Sequence, residues 1–107
     1  MAEVAASVEL LANRMMKITW AGLNTGDDGS WVTAPLQDRS VHIEGTAVTT
    51  VSVQGSNEPA FANPRSLKDV DGVTIAAAGY HTIKEIVAGI RPVCTTGTAV
   101  TFTLYGR

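Results

Sequence analysis

Apolar and polar residues alternate with a period of two over much of this chain, the period of a half-buried β-strand. Met16, Ile18 and Trp20 alternate with Lys17 and Thr19. Across residues 40–45, Val41 and Ile43 point one way, His42 and Glu44 the other. Val51 and Val53 then turn inward, with Thr50, Ser52 and Gln54 outward. A turn over 46–50 would join these two runs as a β-hairpin. Near the end, Val100, Phe102 and Leu104 alternate with Thr101, Thr103 and Tyr105. That run is expected to pair with residues 90–95 through a loop at Thr96-Gly97-Thr98.

Turn chemistry separates the runs. Asn24-Thr25-Gly26-Asp27-Asp28-Gly29 is a turn cluster with two glycines able to take positive φ. Trp31 and Val32 begin a short extended piece, which Pro35 ends or places on an edge. Residues 55–64 form a polar loop in which Phe61 is the one large apolar side chain, expected to pin the loop to the core. Leu67 and Lys68 suit a short strand, Asp69-Val70-Asp71-Gly72 a turn, and residues 73–76 a short return strand. In residues 79–87, Tyr80, Ile83, Ile86 and Val87 fit a helical stripe, but the segment is short and lies between Gly79 and Gly89. A strand or one irregular turn is the preferred reading.

Residues 1–14 differ from the rest. They are rich in Ala and Leu, and Val4, Val8, Leu11 and Met15 recur at helical spacing. So short a segment is unstable alone, so it is a docked short helix or an arm that orders on a neighbour. The expected architecture is all-β: a single β-sandwich, or a small barrel, of about seven or eight short antiparallel strands over residues 15–107, preceded by that arm.

Composition narrows the function. Of 107 residues, 45% are hydrophobic and only 17% charged, below the usual ~25%. A surface poor in Lys and Glu loses little side-chain entropy when a partner covers it. An interaction-rich surface is therefore preferred over an ordinary Thr-rich face. Net charge is −2 and the eight basic residues are scattered, which disfavours nucleic acid and anionic membrane as partners. No apolar run is long enough for a spanning helix. The start carries Glu3 and Glu9 rather than a basic, then apolar, leader, so the chain is expected to be made in a reducing cytoplasm without a signal peptide.

Candidate chemistry is sparse. Cys94 is the only cysteine, so neither an internal disulfide nor a Cys-based zinc site can close. His42 and His81 have no nucleophile elbow beside them. Asp69-Val70-Asp71-Gly72 opens like a calcium loop, but Tyr80 stands where the closing Glu would fall. Asp27 and Asp28 likewise read as turn residues. The glycines match no phosphate loop. No catalytic residue, metal ligand or cofactor is assigned, and the chain is read as a non-enzyme. Trp20, Trp31, Tyr80 and Tyr105 could form a sugar platform, but aromatic residues and Met are also typical of protein interfaces. Leu10, Leu11, Met15, Met16, Trp31 and Tyr105 are the candidate interface residues.

Ordered short motifs carry a resemblance. They are Ile18-Thr19-Trp20-Ala21-Gly22-Leu23 with the Gly26–Gly29 turn, Asp38-Arg39-Ser40-Val41-His42-Ile43-Glu44-Gly45-Thr46, Val53-Gln54-Gly55-Ser56-Asn57, Ile90-Arg91-Pro92 and Thr103-Leu104-Tyr105-Gly106-Arg107. Over residues 18–107 the chain resembles small virion structural proteins of tailed bacteriophages. It departs from them at Pro59 and Phe61, where such proteins often carry Trp or Tyr, and in its N-terminal arm. The resemblance implies a β-sandwich of the phage particle, a capsid decoration or cement protein on the outer capsid surface. Its expected partners are the major capsid protein and itself, as a homotrimer. The alternatives are a neck, tail or head-fibre component, or a carbohydrate-binding β-sandwich module.

Overall fold

An alternating strand must cover its apolar face, and here two sheets cover each other. The computed structural model describes residues 3–33, 38–45, 48–85 and 87–107. The expected break at Pro35, the first part of the 46–50 turn and Ile86 lie outside these. The strands are β1 (Glu3–Val4), β2 (Ser7–Leu10), β3 (Met16–Leu23), β4 (Asp28–Gly29), β5 (Val32–Thr33), β6 (Arg39–Glu44), β7 (Thr50–Ser56), β8 (Arg65–Ser66), β9 (Gly79–Thr82), β10 (Gly89–Thr96) and β11 (Val100–Gly106). Among the described residues, seven of them run four residues or more, and the others are two-residue pieces. The first sheet has the order β1-β4-β10-β7-β8, with β5 also on β10; the second is β2-β3-β11-β6-β9. The result is the all-β sandwich that the alternation predicts, antiparallel except where β1 runs parallel to β4.

The predicted inward faces are the observed ones. Ile18 and Trp20 of β3, Val41 and Ile43 of β6, Val51 and Val53 of β7, and Phe102 and Leu104 of β11 are all buried. Trp20 meets Phe102 edge-to-face at 5.5 Å, and its indole N–H donates to the Ser30 carbonyl at 3.0 Å. Such a pair adds to burial by about 0.5–1.5 kcal/mol.

The predicted hairpins are not hairpins. β6 pairs with β11 and β9, whereas β7 pairs with β10 and β8. β10 and β11 also lie in different sheets. Each presumed turn is an arch that carries the chain from one sheet to the other. An arch buries the same alternate residues as a hairpin, so the alternation is identical in both. Register shifts at Cys94/Thr96 and Val100/Phe102 flank the β10–β11 arch, and its corner holds Ala99 at φ 47°.

Residues 1–14 form no α-helix among the described residues. β2 pairs antiparallel with β3, and a single 3-10 turn at Ala12–Arg14 links them. The free backbone groups along the edge of β3 offer more hydrogen bonds than an isolated short helix could hold. The 79–87 segment takes the strand alternative as β9. Leu67 is buried, but the strand beside it is β8, and Lys68 and Thr74 meet in a single bridge. The return strand expected over 73–76 reduces to such isolated bridges.

Gly26 has the positive φ expected of its turn, at 90°. Gly29 serves otherwise. A Cβ there would lie 2.5 Å from the Pro92 ring and 2.7 Å from Trp20, so the position needs an absent side chain.

Candidate interaction surfaces

The space between the sheets is filled with hydrocarbon. Trp20, Phe102, Leu23, Ile90 and Leu104 are fully buried there, as is Cys94. Burial, then the charge of Asp27, pushes the Cys94 thiol above its ordinary pKa, so it stays protonated and unreactive. The one buried cation among the described residues is Arg39. Its guanidinium donates to the carbonyls of Glu85 and, at 3.5 Å, Val87, while its Nε–H has no partner among the described residues. Burial lowers its pKa. Arg39 thus ties the segment before β10 to β6. Among the described residues no three His, Cys, Asp or Glu gather as a metal site would require.

The groups able to recognise a partner lie on the outer faces. On the first sheet, Trp31 stacks on Phe61 at 5.0 Å, and the Arg91 guanidinium lies 4.8 Å from the Trp31 ring centre. Arg91 also donates to Gln54 at 2.9 Å and pairs with Asp28 at 3.8 Å. β10 and β7 hold Arg91 opposite Gln54 by register. Phe61 therefore pins its loop to the outside of the first sheet rather than to the core. Gly89 makes this possible: a Cβ there would sit 2.2 Å from the Phe61 ring. Ser56 tightens the same loop, its hydroxyl donating to the Ala62 carbonyl at 2.6 Å.

Cross-strand partners point the same way, so register gives the outer face of the second sheet. One row runs Thr19, Thr103, His42, Tyr80; the next runs Lys17, Tyr105, Ser40, Thr82. His42 and Tyr80 stack at 4.1 Å with rings 13° from parallel, and Tyr80 is 79% exposed. The second row floors an open groove of about 670 Å³, walled in part by Met15, Val70 and Lys84. Val70 is placed there by the Asp69 turn. The Asp69 carboxylate accepts the N–H groups of Asp71 at 2.9 Å and Val73 at 3.0 Å, so it is occupied in holding the turn.

The six candidate interface residues fall in separate places. Leu10 is 77% exposed on the edge strand β2, opposite Met16, which packs against the core. Val8 is exposed beside it. Leu11 is half-buried at the 3-10 turn. Met15 and Tyr105 line the groove, and Trp31 lies on the other sheet. The sequence reading missed Phe61 and Arg91 as partners of Trp31, and His42 as a partner of Tyr80. The outward parity of His42 was visible, but no local pattern places Tyr80 opposite it across β6 and β9.

No family model matches this chain, and no curated protein matches it. Solved structures do. A prophage-derived protein, YomS of SPBc2, is similar with a TM-score of 0.61 over 92% of this chain and 98% of its own, at 11% identity. A cupin domain from Bordetella pertussis Tohama I has a TM-score of 0.53 over 98% of this chain and 93% of its own, at 12% identity. The likeness is one of fold. It places this two-sheet β architecture beside a small β protein of prophage origin and beside the double-sheet form of cupins.

Proposed function

We propose that this chain is a non-enzymatic structural protein of a phage particle, which binds the outer capsid surface and stabilises the shell. The observation that carries this reading is the division of the molecule. Between the sheets the described residues pack apolar side chains around Trp20 and Phe102, while Trp31, Phe61, Arg91, Tyr80 and Tyr105 lie on the outer faces. A fold that worked on a ligand inside would need an open cavity between its sheets. A protein that locks neighbours together needs a stiff scaffold and outward anchors. Trp and Arg are the side chains that most often dominate such contacts, and Trp31 and Arg91 are already held in place by Phe61, Gln54 and Asp28. The prophage origin of YomS supports a phage setting. The partners are the major capsid protein and further copies of this chain, as a trimer.

The test is the copy number of this chain relative to the major capsid protein in purified particles, by quantitative mass spectrometry. A ratio of the same order supports a coat over the whole shell. A few copies per particle would move the protein to the neck, tail or a fibre. Absence from the particle would overturn the reading.

A further inference from the structure

We propose that the groove on the outer face of the second sheet binds an acidic saccharide, a sugar chain that carries carboxylates. The proposal does not depend on the capsid reading. The groove holds about 670 Å³, within the range of small-ligand sites. Its floor is fixed by register: Tyr105 of β11 lies opposite Ser40 of β6, which lies opposite Thr82 of β9. That row sets one aromatic ring beside two hydroxyls on a rigid sheet. A pyranose presents the complementary pattern, with a C–H face to lie on a ring and hydroxyls that both donate and accept.

The walls add apolar and cationic groups. Met15 and Val70 are exposed there, at 39% and 58%. Lys84 is exposed and forms no ion pair among the described residues. Arg107 is 4.0 Å from Asp38, with both side chains largely in water. A pair so exposed is weak and can be exchanged for another carboxylate. The rim thus sets two exposed cations against one acid, which favours a carboxylate sugar over a neutral one. The neighbouring row extends the aromatic surface, since Tyr80 stacks on His42 and is mostly exposed. A chain of more than one sugar would therefore find a second ring beside the groove.

The experiment is a titration of the full chain, labelled with nitrogen-15, followed by amide chemical shifts. The probes are digalacturonic acid, the neutral digalactose and a short oligoglutamate peptide. Digalacturonic acid is expected to shift the amides of Ser40, Thr82, Lys84 and Tyr105, and to bind about two- to fivefold tighter than digalactose, the worth of one exposed charge contact. Lys84→Glu lies on the surface, and it should weaken that binding by about fivefold while leaving the rest of the spectrum unchanged. No shift at these amides at millimolar acid sugar would overturn the proposal. So would equal affinity for the neutral sugar, or tighter binding of the oligoglutamate.

Discussion

Gly89 and Gly29 are each required because a neighbour occupies the space of a side chain. Gly89→Ala sets a Cβ against Phe61, which must leave its place over β10 and with it the face of Trp31. The chain has two tryptophans, and the other, Trp20, is fully buried against Phe102 on the inner side of the sheet. The expected result is an altered Trp31 emission with an unaltered buried component, and a loss of about 1–3 kcal/mol in urea unfolding. Gly29→Ala meets Pro92 and Trp20 instead, and should cost a similar ~1–3 kcal/mol while altering the buried Trp20 emission. Cys94 gives a prediction in pH. Its pKa in the folded state is raised above the ordinary 9.0, so below pH 9.0 both folded and unfolded chains keep the proton and the group's contribution is intact. Above it the unfolded chain releases the proton first, and stability falls as pH rises. Denaturant unfolding at neutral and alkaline pH should show a slope that Cys94→Ala reduces.

The strands themselves were legible because burial on one face writes itself into the sequence as alternation. Ile18, Val41, Val53 and Phe102 could be placed inside from that period alone. Their partners could not. Val41 and Val51 have the same pattern whether their strands pair side by side or face each other across the core. The same limit hid the surfaces: Trp31 could be grouped with Trp20, Tyr80 and Tyr105, but its actual partners, Phe61 and Arg91, are distant in sequence and only the fold brings them to it. At the N-terminus, two periods competed. Val4, Val8 and Leu11 suit a helix, but the open edge of β3 decided in favour of strand β2. Removal of residues 3–10 should therefore leave a folded but less stable domain, with that edge free to pair with other chains. Thermal unfolding should shift downward and size-exclusion chromatography should show association. A truncated protein that stays monomeric and equally stable would mean that β2 contributes no cover.

For the whole molecule, the dominant fact is that chain neighbours are seldom sheet neighbours. β6 belongs to the second sheet and β7 to the first; β10 belongs to the first and β11 to the second. Contacts distant in sequence must close before most local ones have support, so loop-closure entropy weighs on the folding barrier. Folding in the millisecond-to-second range, slow for about a hundred residues, is expected by stopped-flow fluorescence. A microsecond phase carrying the full amplitude would contradict it. The closed interior and the two patterned faces follow from the same topology, since sheets built from alternating passes bury one side of every long strand and expose the other.

The position of β11 has a consequence for synthesis. It is the middle strand of the second sheet, between β3 and β6, although it spans Val100–Gly106. On the ribosome, β3 and β6 therefore wait with their inner edges bare until translation has passed residue 106 and that stretch has cleared the exit tunnel. A product that stalls just before residue 100 carries every strand of the first sheet but lacks the one that joins β3 to β6, so its second sheet stays split and open to proteolysis.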